Sequence, residues 1–229
     1  MCFLGGNEAE PCQFKWVVSI QLSSQHTCGG VLISDRLVLT AAHCLFASAS
    51  SYENPRINIS LLTVLLGTHD LRINEEPFAY RSTVRKTTPH PLYRHYTNSN
   101  PNRNYDIGTI ELTQPVTSLL GPNSSIEIIR LPSKDLTMAE LIRNKVVVAG
   151  WGHIKSQREI QSIHDRTTPP GLRYAELQVI GNRDCQDRYD KRSFNVTSHV
   201  FCTSVNTPVC QVSIGCKSGS GGPKRSHAQ

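Results

Sequence analysis

Apolar runs in this chain are short, and Pro, Gly, Asn or Ser breaks them every few residues. Such runs are too brief for amphipathic helices, and their Val, Ile, Leu and Thr content suits the pleated surface of a strand. The clearest lie at residues 14–20, 28–33, 37–39, 61–67, 106–112, 145–152 and 172–180. They predict a mostly β protein. The segment 113–144 carries Pro115, Gly121-Pro122 and Pro132 and is expected to connect rather than pack, with the boundary between two halves inside it. A short helix is predicted over 183–189, with Asn182 as its N-cap and Cys185 inside it. No internal repeat is visible.

At 229 residues the chain can build a sizeable core without a structural metal. No apolar stretch approaches the roughly 18 residues of a membrane span. The net charge of +6 comes from scattered basic residues, with no helix-borne Arg stripe, so nucleic acid is not an expected partner.

Eight cysteines without any Cys-x-x-Cys spacing favour disulfides over zinc, and therefore an oxidising compartment. The sequons Asn58-Ile59-Ser60, Asn123-Ser124-Ser125 and Asn195-Val196-Thr197 point the same way and predict a secreted glycoprotein. Met1-Cys2-Phe3-Leu4 has neither a charged n-region nor a hydrophobic h-region, so no signal peptide is legible and the chain is expected to begin late.

Three segments carry chemistry. In Leu39-Thr40-Ala41-Ala42-His43-Cys44 a small-residue run sets one histidine beside a half-cystine. A lone histidine is more often structural than catalytic, but imidazole titrates near neutrality and can act as a general base. A Cys28–Cys44 disulfide would close a loop worth about 3 kcal/mol in chain entropy and fix the place of His43. In Asn104-Tyr105-Asp106-Ile107-Gly108 an acid heads an apolar strand; it is either a turn residue or the orienter of an imidazole. In Cys216-Lys217-Ser218-Gly219-Ser220-Gly221-Gly222-Pro223 a serine between glycines is either flexible loop or a nucleophile on a tight turn.

Taken in order, Thr-Ala-Ala-His-Cys, Asp-Ile at a strand head, Gly-Trp-Gly and Ser-Gly-Gly-Pro after a cysteine make the chain resemble the chymotrypsin/trypsin-like (S1) serine proteases, especially arthropod ones. Phe3-Leu4-Gly5-Gly6 is similar to that family's mature N-terminus. The resemblance runs from Phe3 to Pro223. It implies two six-stranded antiparallel β-barrels with the active site in the cleft between them. The N-terminal barrel would span 3–118 and the C-terminal barrel 119–223, with 224–229 a tail outside the family pattern. It also implies that His43 is the general base, Asp106 its orienter and Ser220 the nucleophile that forms an acyl-enzyme. The backbone N–H groups of Ser218 and Ser220 would form the oxyanion hole, and Cys185 would pair with Cys202. The expected partners are a polypeptide substrate, protease inhibitors and cascade proteases, with no cofactor, no metal and a monomeric state.

Several positions depart from the family pattern. Ser218 and Gly219 stand where the motif has Gly and Asp, and residues 191–229 contain no Asp or Glu to replace the missing acid. Ile214, six residues before Ser220, occupies the place of the acid found in Lys/Arg-specific members, which predicts an apolar specificity pocket. Thr68 replaces the acid of a calcium-loop pattern. The chain stops at Gln229, before the strands that close the family's second barrel, so that barrel is expected to be incomplete; Cys2, Cys12, Cys210 and Cys216 keep three possible pairings. Three readings follow: a secreted serine endopeptidase, a catalytically inactive homologue that acts by binding, and a truncated gene product.

Overall fold

A computed structural model describes residues 6–47, 56–73, 76–94, 104–132, 138–152, 169–188, 196 and 202–204. Its strands are β1 (Asn7–Glu8), β2 (Val17–Leu22), β3 (Gln25–Leu32), β4 (Leu37–Thr40), β5 (Leu62–Leu66), β6 (Tyr80–Pro89), β7 (Gly108–Leu112), β8 (Lys145–Gly150), β9 (Arg173–Ile180) and β10 (Cys202–Ser204). Two short helices, α1 (Met138–Arg143) and α2 (Asn182–Arg188), accompany them.

Strands β2, β3, β4, β7, β6 and β5 close into an antiparallel barrel in that order. The closure follows from strands whose alternate residues are apolar, so that each strand gives one face to a shared interior. Val18 and Ile20, Val38, Val64 and Leu66, and Ile110 and Leu112 are all fully buried in one core cluster. In β7 the pattern alternates between Gly108, Ile110 and Leu112 inside and Thr109 and Glu111 towards solvent.

The first strand begins later than the sequence predicts, because residues 11–16 form a turn and only Val17–Leu22 is extended. Strand β2 is also buried on both faces, with Val18 and Ile20 on one and Val17, Ser19 and Gln21 on the other. Its inner face meets the barrel core, while Val17 on the outer face joins Ala9, Trp151 and Leu172 in a second cluster at the junction of the two halves.

Three strands escaped the sequence: β1, β6 and the three-residue β10, which exists as a partner of β9. The turn-rich opening contains β1, which pairs Asn7 with Tyr174 and Glu8 with Arg173 on β9. Strand β6 was hidden because Arg81, Arg85 and Lys86 dominate its outer face and a register shift between Val84 and Lys86 breaks the two-residue alternation.

The expectation that 113–144 only connects is overturned. Val116 is fully buried, Ile126 is nearly so, and both belong to the barrel core. Backbone bonds from Val116 to Asp35, from Glu127 to Lys15 and from Ile129 to Leu32 tie this segment to the barrel. Isolated apolar anchors between turn residues gave no periodic signal.

The described part of the second half is a four-stranded sheet in which β9 pairs with β8 along one edge and with β1 and β10 along the other. Ala175 and Leu177 of β9 pack with Val146 and Val148 of β8. The Cys185–Cys202 disulfide fastens α2 to β10, as expected. Cys12 is exposed and not disulfide-bonded, while Cys2, Cys210 and Cys216 lie outside the described residues.

A strap at residues 69–72 joins the halves. The His69 carbonyl accepts from Leu172 N–H and from the Trp151 indole, both at 2.9 Å, and Leu71 N–H donates to the Pro170 carbonyl at 2.9 Å. Both Glu76 carboxylate oxygens accept from the strap's backbone, at His69 N–H and Asp70 N–H. A hydrogen bond from the Arg72 side chain holds the Asp70 carboxyl below its ordinary range, against the opposing effect of burial.

Two predictions follow from this architecture. A Cβ at Gly108 would lie 2.8 Å from Leu45 Cδ1 and 3.1 Å from the Thr88 carbonyl. Gly108→Ala is therefore expected to cost about 1–3 kcal/mol in denaturant unfolding, as overpacking does; an unchanged midpoint contradicts the packing. For Asp70, a folded value below the unfolded one means that its stabilisation is fully present above about pH 4 and is lost as pH falls through the folded value. Arg72→Ala should therefore lower Tm near neutrality, and its difference from wild type should close below about pH 4; a gap that persists or widens in acid contradicts this linkage.

Candidate active site

The approach of His43 to Asp106 follows from strand pairing. Strands β4 and β7 are antiparallel neighbours, with Thr40 opposite Gly108 and Leu39 opposite Thr109. The end of β4 and the start of β7 therefore lie at the same rim of the barrel. His43 comes three residues after Thr40 and Asp106 two residues before Gly108, so both overhang that rim.

After Thr40 the small residues Ala41 and Ala42 let the chain fold into a 3₁₀ turn, Ala42–Leu45. Ala42, Cys44 and Leu45 are buried in that turn, while His43 faces outward. Leu45 plugs into the barrel core and Cys44 forms a disulfide with Cys28 of β3, across a sequence separation of 16. His43 is thus held on both sides by anchored neighbours.

Asp106 grips His43 twice. Its Oδ1 accepts from the backbone N–H of His43 at 2.8 Å, and its Oδ2 lies 2.8 Å from Nδ1. A carboxylate only accepts at neutral pH, so Nδ1 carries the ring proton and Nε2 presents its lone pair. Nε2 lies 3.5 Å from Cys44 Sγ, a disulfide sulfur with no proton to donate. The His43 side chain is 56% exposed and that of Asp106 33%, so solvent screens the pair. Its worth is orientation more than stability: one tautomer, one ring direction and a basic nitrogen facing away from the acid.

Cys28, His43 and Cys44 bring three potential metal-ligating atoms within 4.8 Å of one another. Both sulfurs are committed to the disulfide, so the trio offers no thiolate to a cation.

The backbone around Asp106 is unusual in a way the sequence did not reveal. Tyr105 has a φ of 60°, in the left-handed region that bulky residues rarely adopt. Its ring stacks on that of His90, with centroids 4.7 Å apart and planes at 9°. His90-Pro91 read only as the start of a polar loop. The stack joins residues 15 apart in sequence, and no local pattern announces it.

The structure brings His43 and Asp106 together. Ser218, Ser220 and Ile214 lie outside the described residues. Among the described residues, no helix is long and apolar enough to cross a membrane.

Comparison with known proteins agrees with this geometry. The sequence pattern of the trypsin family matches residues 3–229. The chain is 30% identical to the clotting factor G beta subunit of Tachypleus tridentatus over 227 residues, covering 96% of this chain and 64% of that protein. It is 28% identical to mannan-binding lectin serine protease 1 of Mus musculus, over 95% of this chain and 28% of that protein. The chain thus spans less than two thirds of the length of both relatives. Among solved structures it is similar to neuropsin, a serine protease expressed in the limbic system of mouse brain, with a TM-score of 0.67 and 25% identity over 96% of this chain and 81% of that one. Sequence pattern, relatives and barrel architecture agree that the chain belongs to the trypsin family of chymotrypsin-like serine endopeptidases.

Proposed function

We propose that this protein is a secreted serine endopeptidase that cleaves polypeptides through His43, Asp106 and Ser220. The observation that carries this reading is the double grip of Asp106 on the His43 backbone and ring, which leaves Nε2 as an oriented base. Ser220, in the Gly-Ser-Gly-Gly-Pro segment, is the nucleophile. Nε2 takes the Ser220 hydroxyl proton as Oγ bonds to the peptide carbonyl carbon; the tetrahedral oxyanion is met by the backbone N–H groups of Ser218 and Ser220. The imidazolium, stabilised by the Asp106 carboxylate, gives the proton to the departing amine as the acyl-enzyme forms. Water, deprotonated by the same nitrogen, then attacks the ester carbonyl, and the imidazolium returns that proton to Oγ as the acyl–Oγ bond breaks and frees the acid product.

In this reading Ile214 lines the specificity pocket and selects an apolar side chain before the scissile bond. Secretion is supported by the two disulfides in the described residues and by the sequons. Asn58 and Ser60 are exposed in a surface turn, where Asn58 is open to a glycan. Inhibitors and cascade proteases are the expected protein partners of a monomeric enzyme, supported by similarity to a protein named as a clotting factor subunit.

A second reading, a catalytically inactive homologue that acts by binding, is favoured by two residues. Ser218 stands where the family motif has glycine and Gly219 where it has aspartate, and residues 191–229 hold no other acid.

Peptide hydrolysis separates the two. With the oxidised, secreted protein, substrates with apolar residues before the scissile bond should be cleaved in preference to those with Lys or Arg. Asp106→Asn should lower kcat by about 10⁴-fold through loss of the correct tautomer. Ser220→Ala should abolish turnover; hydrolysis that survives it shows that the nucleophile is another residue. A protein that melts cooperatively yet cleaves nothing supports the binding homologue. In an active protein, Ile214→Asp should shift preference towards Lys and Arg, and an unchanged preference removes Ile214 from the pocket.

A further inference from the structure

Asp106 sits at the centre of a three-residue turn whose two ends are both held by His90. The Ile107 N–H donates back to the Tyr105 carbonyl at 2.7 Å, which closes the turn around Asp106. On one side the His90 ring stacks on Tyr105, with centroids 4.7 Å apart. On the other side the His90 backbone N–H donates to the Ile107 carbonyl at 2.9 Å. One residue therefore brackets the acid from before and behind.

His90 is itself fixed. Its Nδ1 accepts the Leu92 N–H at 3.1 Å, and its carbonyl accepts the Tyr93 N–H at 3.0 Å. With Nδ1 taken up as an acceptor, the ring's N–H is at Nε2. The preceding residue, Pro89, ends β6 opposite Gly108 of β7, so His90 is carried by the barrel wall. A left-handed backbone at a tyrosine, with φ 60°, persists only where the surroundings over-determine it. The stack supplies that constraint at the residue whose ψ sets where the Asp106 side chain points.

We propose that His90 and Tyr105 are positioning residues. Their ring stack holds Tyr105 left-handed, and so directs the Asp106 carboxylate onto both the backbone N–H and Nδ1 of His43. The proposal rests on the reading of His43 and Asp106 as base and orienter. It predicts that the stacking surface of His90, rather than its nitrogen chemistry, is what matters to the site. A barrel-wall histidine with only a structural role would affect melting without changing the state of the His43 proton.

The test reads that proton directly by NMR. A proton shared between His43 Nδ1 and the Asp106 carboxylate should give a strongly downfield signal that requires neither turnover nor Ser220. It should be present in the wild type and in Ser220→Ala, and also in His90→Phe and Tyr105→Phe, which keep the stack. It should vanish in His90→Ala and in Tyr105→Ala, where no ring stack holds a left-handed backbone that a Cβ makes costly. Should His90→Ala not fold, Tyr105→Ala carries the same test. If the wild type hydrolyses peptides, His90→Ala should lower kcat by about 10²-fold with KM unchanged, and His90→Phe should restore it. Retention of the downfield signal in folded His90→Ala or Tyr105→Ala overturns the proposal. Absence of the signal from the wild type overturns the His43–Asp106 reading, and the proposal with it. A signal present in a protein that cleaves nothing leaves the clamp standing and rejects only the endopeptidase.

Discussion

The paired hydrogen bonds from His43 to Asp106 depend on nearly everything else in the first half of the molecule. A carboxylate can meet a backbone N–H and a ring nitrogen of the same residue only if the two chain segments are fixed to within a few tenths of an ångström. Pairing of β4 with β7 sets the coarse approach of the two segments. The Cys28–Cys44 disulfide and the buried Leu45 set the turn that carries His43. The left-handed Tyr105 and its stack on His90 set the direction of Asp106. The barrel core, in which Ile110 and Leu112 are fully buried, keeps β7 from sliding relative to β4. The energy in the pair itself is small beside the packing that makes it possible.

The second constraint is the junction between the barrel and the sheet of the second half. At the start of β2, Val17 packs on its outer side against Ala9, Trp151 and Leu172, which flank strands of that sheet. The strap at 69–72 adds backbone bonds, so the joint is a continuation of both cores rather than a flexible link. The N-terminal strand β1 belongs to the second sheet although it precedes the barrel, which ties the start of the chain across the junction.

Much of this was legible in the sequence, for identifiable reasons. Runs such as Leu62–Leu66 and Arg173–Ile180 carry strand composition between turn residues, and they form strands close to the expected bounds. Cys28 with Cys44, and Cys185 with Cys202, form the expected disulfides. His43 and Asp106 were recognisable from the order of the motifs along the chain, since in its own segment each would more often be structural. What was not legible depends on contacts between distant residues. Strand β1 exists only because β9 offers it an edge, and β6 is masked by its bulge and its basic outer face. Val116 and Ile126 are solitary anchors in a turn-rich segment, so their burial leaves no periodic trace. The His90–Tyr105 stack joins two segments that looked like loop, and the left-handed backbone belongs to a residue type that avoids it.

The central claim is that an oriented His43 serves a reactive Ser220. The most direct measurement is covalent labelling of the purified, oxidised protein with a fluorophosphonate, followed by mass spectrometry of the labelled peptide. The account predicts one adduct, on Ser220, formed in the wild type and absent when Asp106 or His43 is replaced. Folded protein that remains unlabelled, or an adduct on another serine, contradicts it.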